Sequence, residues 1–240
     1  MEQHNPSQLS LSVQLPDDET FASFYPGDNA LLLTALKNAA IGQGDDVIYL
    51  WGSEGSGRSH LLHATCAEAN DSGQAAAYVP LDLHHMMNPA MLDGMENMPL
   101  ICIDSLESIA GNQQWEQALF NLYNRCLEKK AHTELTNCLI FTGNNSPKNL
   151  AISLQDLVSR LEWGTGYKIN LLDDEAKLGA LQLRAQLRGF KLPVEVGRFL
   201  LNRLSREMAM LLKTLDHLDS ASIAAQRKLT IPFVKETLHL

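Results

Sequence analysis

The sequence predicts an α/β protein in which a parallel β-sheet domain is followed by a small all-helical domain. Short apolar runs such as Val47–Trp51 and Leu100–Ile103 alternate with stretches of helical periodicity. Strands that alternate with helices are typical of βαβ units and a parallel sheet. After Asp173 the strand patterns stop and only helical ones continue. We therefore expect a flexible arm over residues 1–19, an α/β domain over 20–170 and a helical domain over 171–240.

Local patterns predict the individual elements. The strands are short, continuous and apolar, because a central parallel strand is covered by helices on both faces. The predicted strands are Val47–Trp51, Ala75–Val79, Leu100–Ile103, Cys138–Thr142 and Tyr167–Asn170. Helices are bounded by capping residues and by breaks, with Asp28 or Asn29 capping the first and Gly189 and Pro193 separating two others. The first predicted helix runs from this cap to about Ala40. The others are Gly57–Asn70, Asn112–Lys130, Asp173–Arg188, Val194–Leu204 and Ser205–Leu218.

The charge balance argues against a nucleic-acid-binding surface. The 240 residues include 19 Lys+Arg and 28 Asp+Glu, for a net charge of −9, and residues 1–170 hold only 8 of the basic residues. Phosphate binding usually requires a strongly basic face, so no direct sequence-specific DNA binding is expected. No apolar run approaches the roughly 20 residues of a membrane helix, and the first residues lack the features of a signal peptide. We expect a soluble, cytoplasmic protein with no membrane partner.

The cysteines and histidines lack the spacing of a metal or redox site. No C-x-x-C pair is formed, and Cys102 and Cys138 lie in apolar runs where cysteine usually acts as a small hydrophobic side chain. The pairs His60/His63 and His84/His85 have no further ligands at metal spacing, so no metal site is predicted there.

A phosphate-binding loop is predicted between the first strand and the next helix. Residues Gly52–Ser59 read GSEGSGRS, which is the G-x-x-x-x-G-K-[ST] spacing with Arg58 in place of lysine. Its glycines let main-chain N–H groups surround phosphate oxygens at a helix N-terminus, and Ser59 is placed to bind Mg²⁺. A plain Gly/Ser turn is the alternative, but the strand before and the helix after it favour nucleotide binding.

Two positions indicate weak hydrolysis. Arginine at position 58 carries a larger, planar guanidinium where lysine would carry a compact ammonium. Its charge would therefore be placed differently against a transferring phosphoryl group. Asp104 ends an apolar strand where it could hold Mg²⁺, but Ser105 follows where such ATPases carry a second acid. A hydroxyl cannot act as a general base near neutral pH. The chain is therefore expected to bind a nucleotide and turn it over slowly or not at all.

In these motifs the sequence resembles AAA+ proteins of the DnaA branch, and across nearly its whole length it resembles one group within that branch. The matching segments are Thr20–Asn29, the phosphate loop, Asp104, Phe141–Asn144, Leu157–Gly164 and Arg206–Met208. Within that branch it is similar to the DnaA-homologous regulators that inactivate the bacterial replication initiator. The segments specific to that group are Gly57–His60, Asp104-Ser105, Leu183–Phe190 and Ala225–Lys235. The resemblance implies an AAA+ P-loop domain with a small helical lid.

The resemblance also implies roles for single residues. Arg160 matches the arginine finger that reaches in trans to the ATP of DnaA, Asn144 matches sensor 1 and Arg206 matches sensor 2, a lid arginine that touches phosphates. Phe24, Tyr25 and Asn29 would lie near the base of the nucleotide. The implied nucleotide-binding residues are Gly52, Glu54, Gly55, Ser56, Gly57, Arg58, Ser59, His60, Asp104, Asn144, Arg206, Phe24 and Tyr25, with Ser59 and Asp104 holding Mg²⁺ only together with nucleotide.

Plain structural roles remain open for three of these residues. Arg160 could cap helix carbonyls or pair with Glu162, and Arg206 could pair with Glu207 or a neighbouring acid. Asn144 could be an ordinary loop residue before Pro147.

The predicted arm contains a candidate partner motif. Residues 8–13 resemble the short motif by which replication proteins dock on the DNA polymerase sliding clamp. Gln8 would offer its amide to a polar rim, while Leu9, Leu11 and Val13 would enter an apolar pocket and Ser10 would lie between them. A flexible arm suits such docking because it can become ordered on binding.

The resemblance implies a regulator rather than an enzyme. It would bind ADP or another nucleoside diphosphate and, with the DNA-loaded clamp, promote hydrolysis of DnaA-bound ATP, which suppresses chromosomal replication initiation. The sequence stops at Leu240, where DnaA would continue into a DNA-binding domain, and self-association stays open. The alternatives are an autonomous replication ATPase of the helicase, clamp-loader or initiator type, a P-loop kinase for a small metabolite, and a scaffold whose nucleotide pocket has decayed.

Overall fold

The computed structural model describes residues 18–132 and 137–240, so the candidate clamp motif Gln8–Val13 lies outside the described residues. The strands are β1 (Val47–Trp51), β2 (Ala76–Pro80), β3 (Leu100–Asp104), β4 (Cys138–Gly143) and β5 (Thr165–Lys168). The helices are α1 (Ala30–Ala40), α2 (Arg58–Asp71), α3 (Gln113–His132), α4 (Gln155–Trp163), α5 (Asp174–Leu187), α6 (Val194–Arg203), α7 (Met208–Ala225) and α8 (Ile231–Leu238). None of the helices in this part of the chain is long and apolar enough to cross a membrane.

The five strands form one parallel sheet in the order β2-β3-β4-β1-β5. This confirms the predicted α/β class with its parallel sheet and following helices. Because β4 lies between β3 and β1, the carboxyl ends of these three central strands lie side by side. In open parallel sheets, ligands bind outside the carboxyl ends of the strands.

Strand β5 begins two residues earlier than predicted, at Thr165 instead of Tyr167. It pairs with β1 at the edge of the sheet, from Thr165 opposite Ile48 to Lys168 opposite Trp51. Its residues are largely exposed, so no apolar pattern marks its start. The pairing with β1, which links distant parts of the chain, sets its limits.

Each face of the sheet has its own core, because successive strand side chains point to opposite faces. Tyr49, Ile101 and Phe141 face α3 and α4, while Ile48, Cys102 and Ile140 face α1 and α2. All four cysteines are buried free thiols, and burial raises the pKa of Cys138 to about 12. The interpretation of Cys102 and Cys138 as small buried side chains is confirmed.

Asn29 fastens the start of α1 to the chain that follows β5. It is the N-cap residue, as one of the two predicted alternatives had it, but its side chain forms no capping hydrogen bond. Instead Oδ1 accepts from the main-chain N–H of Asn170 at 2.8 Å, and Nδ2 donates to the carbonyl groups of Asn170 (3.1 Å) and Pro26 (3.0 Å). The predicted side-chain cap was therefore wrong, because both polar atoms of the Asn29 amide form hydrogen bonds with the main chain of Asn170.

Helices α5–α8 enclose a third core that includes Leu181, Leu200, Leu215 and Phe233. Helix α7 begins three residues later than the predicted Ser205 and continues seven residues beyond Leu218. Helix α8 was not predicted, and neither was α4 in the α/β region. The signal for α8 was present in the sequence, since Thr230 caps Phe233 N–H at 3.4 Å and Pro232 lies in the first turn.

Candidate functional site

The loop between β1 and α2 turns through two glycines in left-handed conformations. Gly55 and Gly57 have φ values of +74° and +92°, which glycine adopts without strain. A Cβ at Gly57 would lie 2.8 Å from Cε2 of Phe24, and one at Gly52 would lie 2.6 Å from Oγ of Ser56. The loop leads into the first turn of α2, where main-chain N–H groups have no partner within the helix. The predicted strand, loop and helix are thus present in order.

A buried hydroxyl without a partner marks the inside of the loop. Oγ of Ser56 is buried and forms no hydrogen bond to any described residue. Such a group is costly unless a ligand or water completes it. Together with the free N–H groups of the first turn of α2, it makes the loop chemically suited to phosphate oxygens.

Arg58 is not free at the loop, because Glu107 holds it. Nη1 of Arg58 lies 2.7 Å from Oε1 of Glu107, and the two side chains are only 13 and 22% exposed. Oε2 of Glu107 accepts from the main-chain N–H of Asn144 at 3.0 Å, while the Asn144 side chain makes no hydrogen bond within the described residues. The sequence reasoning missed Glu107, which comes three residues after Asp104 in the short 3₁₀ turn Leu106–Ile109.

Asp104 is 3% exposed at the end of β3, and both of its oxygens have partners. The hydroxyl of Tyr78 donates to Oδ2 at 2.8 Å, and the hydroxyl of Thr142 donates to Oδ1. Thr142 in turn accepts from the main-chain N–H of Ser105 at 2.9 Å. Ser105 has φ +62° and places a hydroxyl, not a carboxylate, beside Asp104. No hydrogen bond joins Ser59 to Asp104 in the described part of the chain.

The segment before α1 connects the loop to the helical region. The Phe24 ring contacts Gly57 and lies edge-on to the His60 ring, with 5.3 Å between centroids. His60 Nε2 lies 2.9 Å from the carbonyl oxygen of Thr20, and burial lowers the pKa of His60. His60 is therefore held against this segment. Tyr25 packs on Gly179 of α5, where a Cβ would approach its ring to 2.7 Å.

Arg206 lies between α6 and α7 and is 64% exposed. Its Nη1 atom is 3.5 Å from Oδ2 of Asp174, a neighbouring acid, and not paired with Glu207. An exposed pair of this kind contributes little free energy. The structure brings Arg206 into no hydrogen bond or ion pair with the phosphate loop.

Arg160 lies in the last turn of α4 and stacks on aromatic rings. Its guanidinium carbon is 4.6 Å from the centroid of Trp163 and 5.9 Å from that of Tyr123. Trp163 is 72% exposed, and Glu162 pairs with Lys148 at 3.2 Å. Among residues 18–132 and 137–240, the Arg160 guanidinium therefore has ring partners but no acidic one.

Comparison with known families divides the chain into two matching regions. Residues 15–168 match the model of the bacterial DnaA ATPase domain, and residues 174–238 match the model described as "Hda, lid domain". The first region alone covers more than half of the chain.

Solved structures share the same architecture. Domain III of the Thermotoga maritima replication initiation protein DnaA superposes with a TM-score of 0.77 at 19% identity, covering 94% of this chain and 97% of that one. AMPPCP-bound DnaA from Aquifex aeolicus gives 0.68 at 23% identity, covering 85 and 66%. The RuvB Holliday junction branch migration motor of Thermotoga maritima gives 0.63 at 14% identity, covering 87 and 67%.

At these identities the structural likeness is evidence for the AAA+ fold alone. The two family matches carry the assignment further. The chain belongs to the bacterial DnaA ATPase-domain family, as a DnaA-related AAA+ protein of replication whose lid is of the Hda type.

Proposed function

We propose that this protein is a nucleoside-diphosphate-bound regulator that promotes hydrolysis of ATP held by DnaA and so suppresses replication initiation. The phosphate loop carries the proposal: the buried Ser56 hydroxyl without a partner suits a phosphate oxygen, while Arg58 is paired with Glu107 and a serine stands at position 105. Arg160 supports it, because its guanidinium stacks on Trp163 and has no acidic partner among the described residues.

The nucleotide would be held by residues of the loop, the base and the lid. Gly52, Glu54, Gly55, Ser56 and Gly57 would surround the diphosphate with Arg58, Ser59 and His60 from the first turn of α2. Phe24, Tyr25, Asn144 and Arg206 would complete the site, and Ser59 and Asp104 would bind Mg²⁺ that arrives with the nucleotide. When bound, ADP supplies the negative charge that these N–H donors and cations balance.

The chain's own ATPase activity would be low or absent. Position 105 carries a hydroxyl where a water-activating acid is needed, and Arg58 is paired with Glu107. A hydroxyl does not accept a proton from water near neutral pH. Both features reduce hydrolysis without removing any part of the cradle itself.

Arg160 would act on the partner's nucleotide. Its stacking on Trp163 orients the planar guanidinium, and no carboxylate of the described residues pairs with its N–H donors. A positive charge delivered across an interface stabilises the charge that develops on the transferring phosphoryl group, and such arginines raise rates by roughly 10³–10⁵-fold. The arm residues 8–13 would bind the DNA-loaded sliding clamp and so restrict this encounter to replicating DNA.

The proposal is tested by single-round hydrolysis of labelled ATP bound to DnaA, with clamp loaded on DNA. Native chain should accelerate hydrolysis, and Arg160→Ala should lose most of that acceleration. Arg198→Ala is the matched control, since Arg198 is an exposed arginine of the lid that pairs with Glu175. Removal of residues 1–15 should also lower the acceleration, whereas a metabolite kinase would not respond to it.

A different result would favour an autonomous ATPase. In that case the native chain alone turns over ATP, Asp104→Ala abolishes the turnover, and DnaA-bound ATP is unaffected. That combination would overturn the regulatory proposal.

A further inference from the structure

We propose that Glu107 makes the nucleotide site select a diphosphate over a triphosphate, an inference that rests on the proposed binding of nucleotide to this loop. The argument starts from where the Glu107 carboxylate is held. It bridges the Arg58 guanidinium (2.7 Å) and the main-chain N–H of Asn144 (3.0 Å). These partners follow β1 and β4, and Glu107 itself follows β3, so the carboxylate is fixed where three neighbouring strands end.

The ion pair is shielded from water and therefore firmly held. The Arg58 and Glu107 side chains are only 13 and 22% exposed, compared with 64 and 50% for Arg206 and Asp174. Separating such a pair leaves a partly buried charge without its partner, which is costly. Arg58 stands where phosphate loops place the lysine that contacts the terminal phosphates, and Glu107 already engages its charge.

A third phosphate would meet mainly negative charge at this end of the loop. Asp104 ends β3 and Glu107 follows it by three residues, so this strand end carries two carboxylates, and one of them, Glu107, pairs with Arg58. The charge of Glu107 reaches β1, where it adds to burial in raising the pKa of Tyr49, while the Arg58 charge acts in the opposite direction. When a triphosphate binds, either Arg58 would have to leave Glu107, or the third phosphate would have to lie beside the pair without a cation of its own.

A diphosphate keeps its main-chain contacts. The N–H groups of the loop and of the first turn of α2, with the Ser56 hydroxyl, are independent of Glu107, since the carboxylate contacts none of them. Glu107 therefore weakens triphosphate binding by competing for Arg58 and by repulsion, while these main-chain contacts of a diphosphate stay intact.

The test is the ratio of dissociation constants for ATP and ADP, each measured by calorimetry with Mg²⁺ on the full chain. The native chain should bind ADP more tightly. Glu107→Gln keeps the shape and an acceptor for Asn144 but removes the charge, and should lower the ratio about tenfold, mainly through tighter ATP binding. Glu195→Gln, at an exposed position in the first turn of α6, controls for the change in net charge and should leave the ratio unchanged.

Folding of Glu107→Gln is checked by its thermal midpoint. Should it unfold, the same substitution in an Arg58→Lys background replaces the rigid guanidinium with a flexible ammonium that can turn towards solvent, and the ratio should fall relative to Arg58→Lys alone. A native ratio near one, or a ratio that either folded variant leaves unchanged, overturns the role of Glu107. Failure of the native chain to bind either nucleotide would instead overturn the proposed function.

Discussion

The Tyr78 hydroxyl donates a hydrogen bond to Oδ2 of Asp104 across 2.8 Å, from β2 to the end of the neighbouring strand β3. The ring of Tyr78 also lies edge-on to His63, with 4.5 Å between centroids, and His63 pairs with Glu19. That pairing lowers the pKa of the Glu19 carboxyl. A continuous set of side chains therefore connects the segment before α1 to the acid that ends β3.

Removing the Tyr78 hydroxyl should destabilise the protein. Tyr78→Phe leaves Oδ2 of a buried carboxylate without its donor, and a hydrogen bond to a charged group contributes about 1.5–3 kcal/mol. We expect the free energy of unfolding in urea to fall by about that amount. Tyr167→Phe is the control, because no described residue pairs with its hydroxyl. Equal losses in the two variants would contradict the importance of the Tyr78–Asp104 bond.

Gly57→Ala should damage the phosphate loop more than backbone strain alone predicts. Gly57 and Gly73 both have left-handed φ values, +92° and +76°, so alanine is strained at either position by roughly 1 kcal/mol or more. Only at Gly57 does the new Cβ meet a neighbour, Cε2 of Phe24 at 2.8 Å; at Gly73 no atom lies within 4 Å. Urea unfolding should show a larger loss for Gly57→Ala, and calorimetry should show weakened ADP binding only in that variant. Matching losses would indicate that Phe24 moves aside freely.

His60 should make stability fall in mildly acidic solution. Burial lowers its pKa below the usual 6.5, so the unfolded chain takes up a proton before the folded chain does. Its contribution is fully present above pH 6.5 and is lost as the pH falls from there towards the folded-state pKa. Urea unfolding between pH 8 and pH 5.5, compared for the native chain and His60→Gln, measures this slope. The variant should show a flatter profile, and identical profiles would refute the assignment.

Trp163 should position Arg160 without supporting the fold. Because Trp163 is 72% exposed, Trp163→Ala should change the unfolding free energy by less than about 0.5 kcal/mol. An exposed cation–π contact contributes about 0.5–1 kcal/mol, so the acceleration of DnaA-bound ATP hydrolysis should fall a few-fold. Trp163→Phe keeps an aromatic face and should restore most of the rate. If Trp163→Ala leaves the rate unchanged, Arg160 needs no stacking partner.

Local signals were sufficient for most elements and for the loop. The apolar runs in β1, β3 and β4 predicted buried strands because central strands are covered on both faces, and glycine spacing predicted the loop after β1. The same signals failed at the ends of those elements whose bounds are set by contacts with other parts of the chain. Strand β5 takes its bounds from β1, and α7 begins three residues after Ser205 and ends only at Ala225.

The sequence by itself determined the residue types at the site: a glycine loop, Arg58 in place of lysine, Asp104 followed by Ser105, and an arginine at position 160. Only the tertiary structure decided which partners these residues have. Glu107 is 49 positions from Arg58 and Thr142 is 38 positions from Asp104, so no local pattern indicates either pair. They meet because β1, β3 and β4 are parallel neighbours, so their carboxyl ends lie side by side. Charged and hydroxyl groups from distant parts of the chain form ion pairs and hydrogen bonds there.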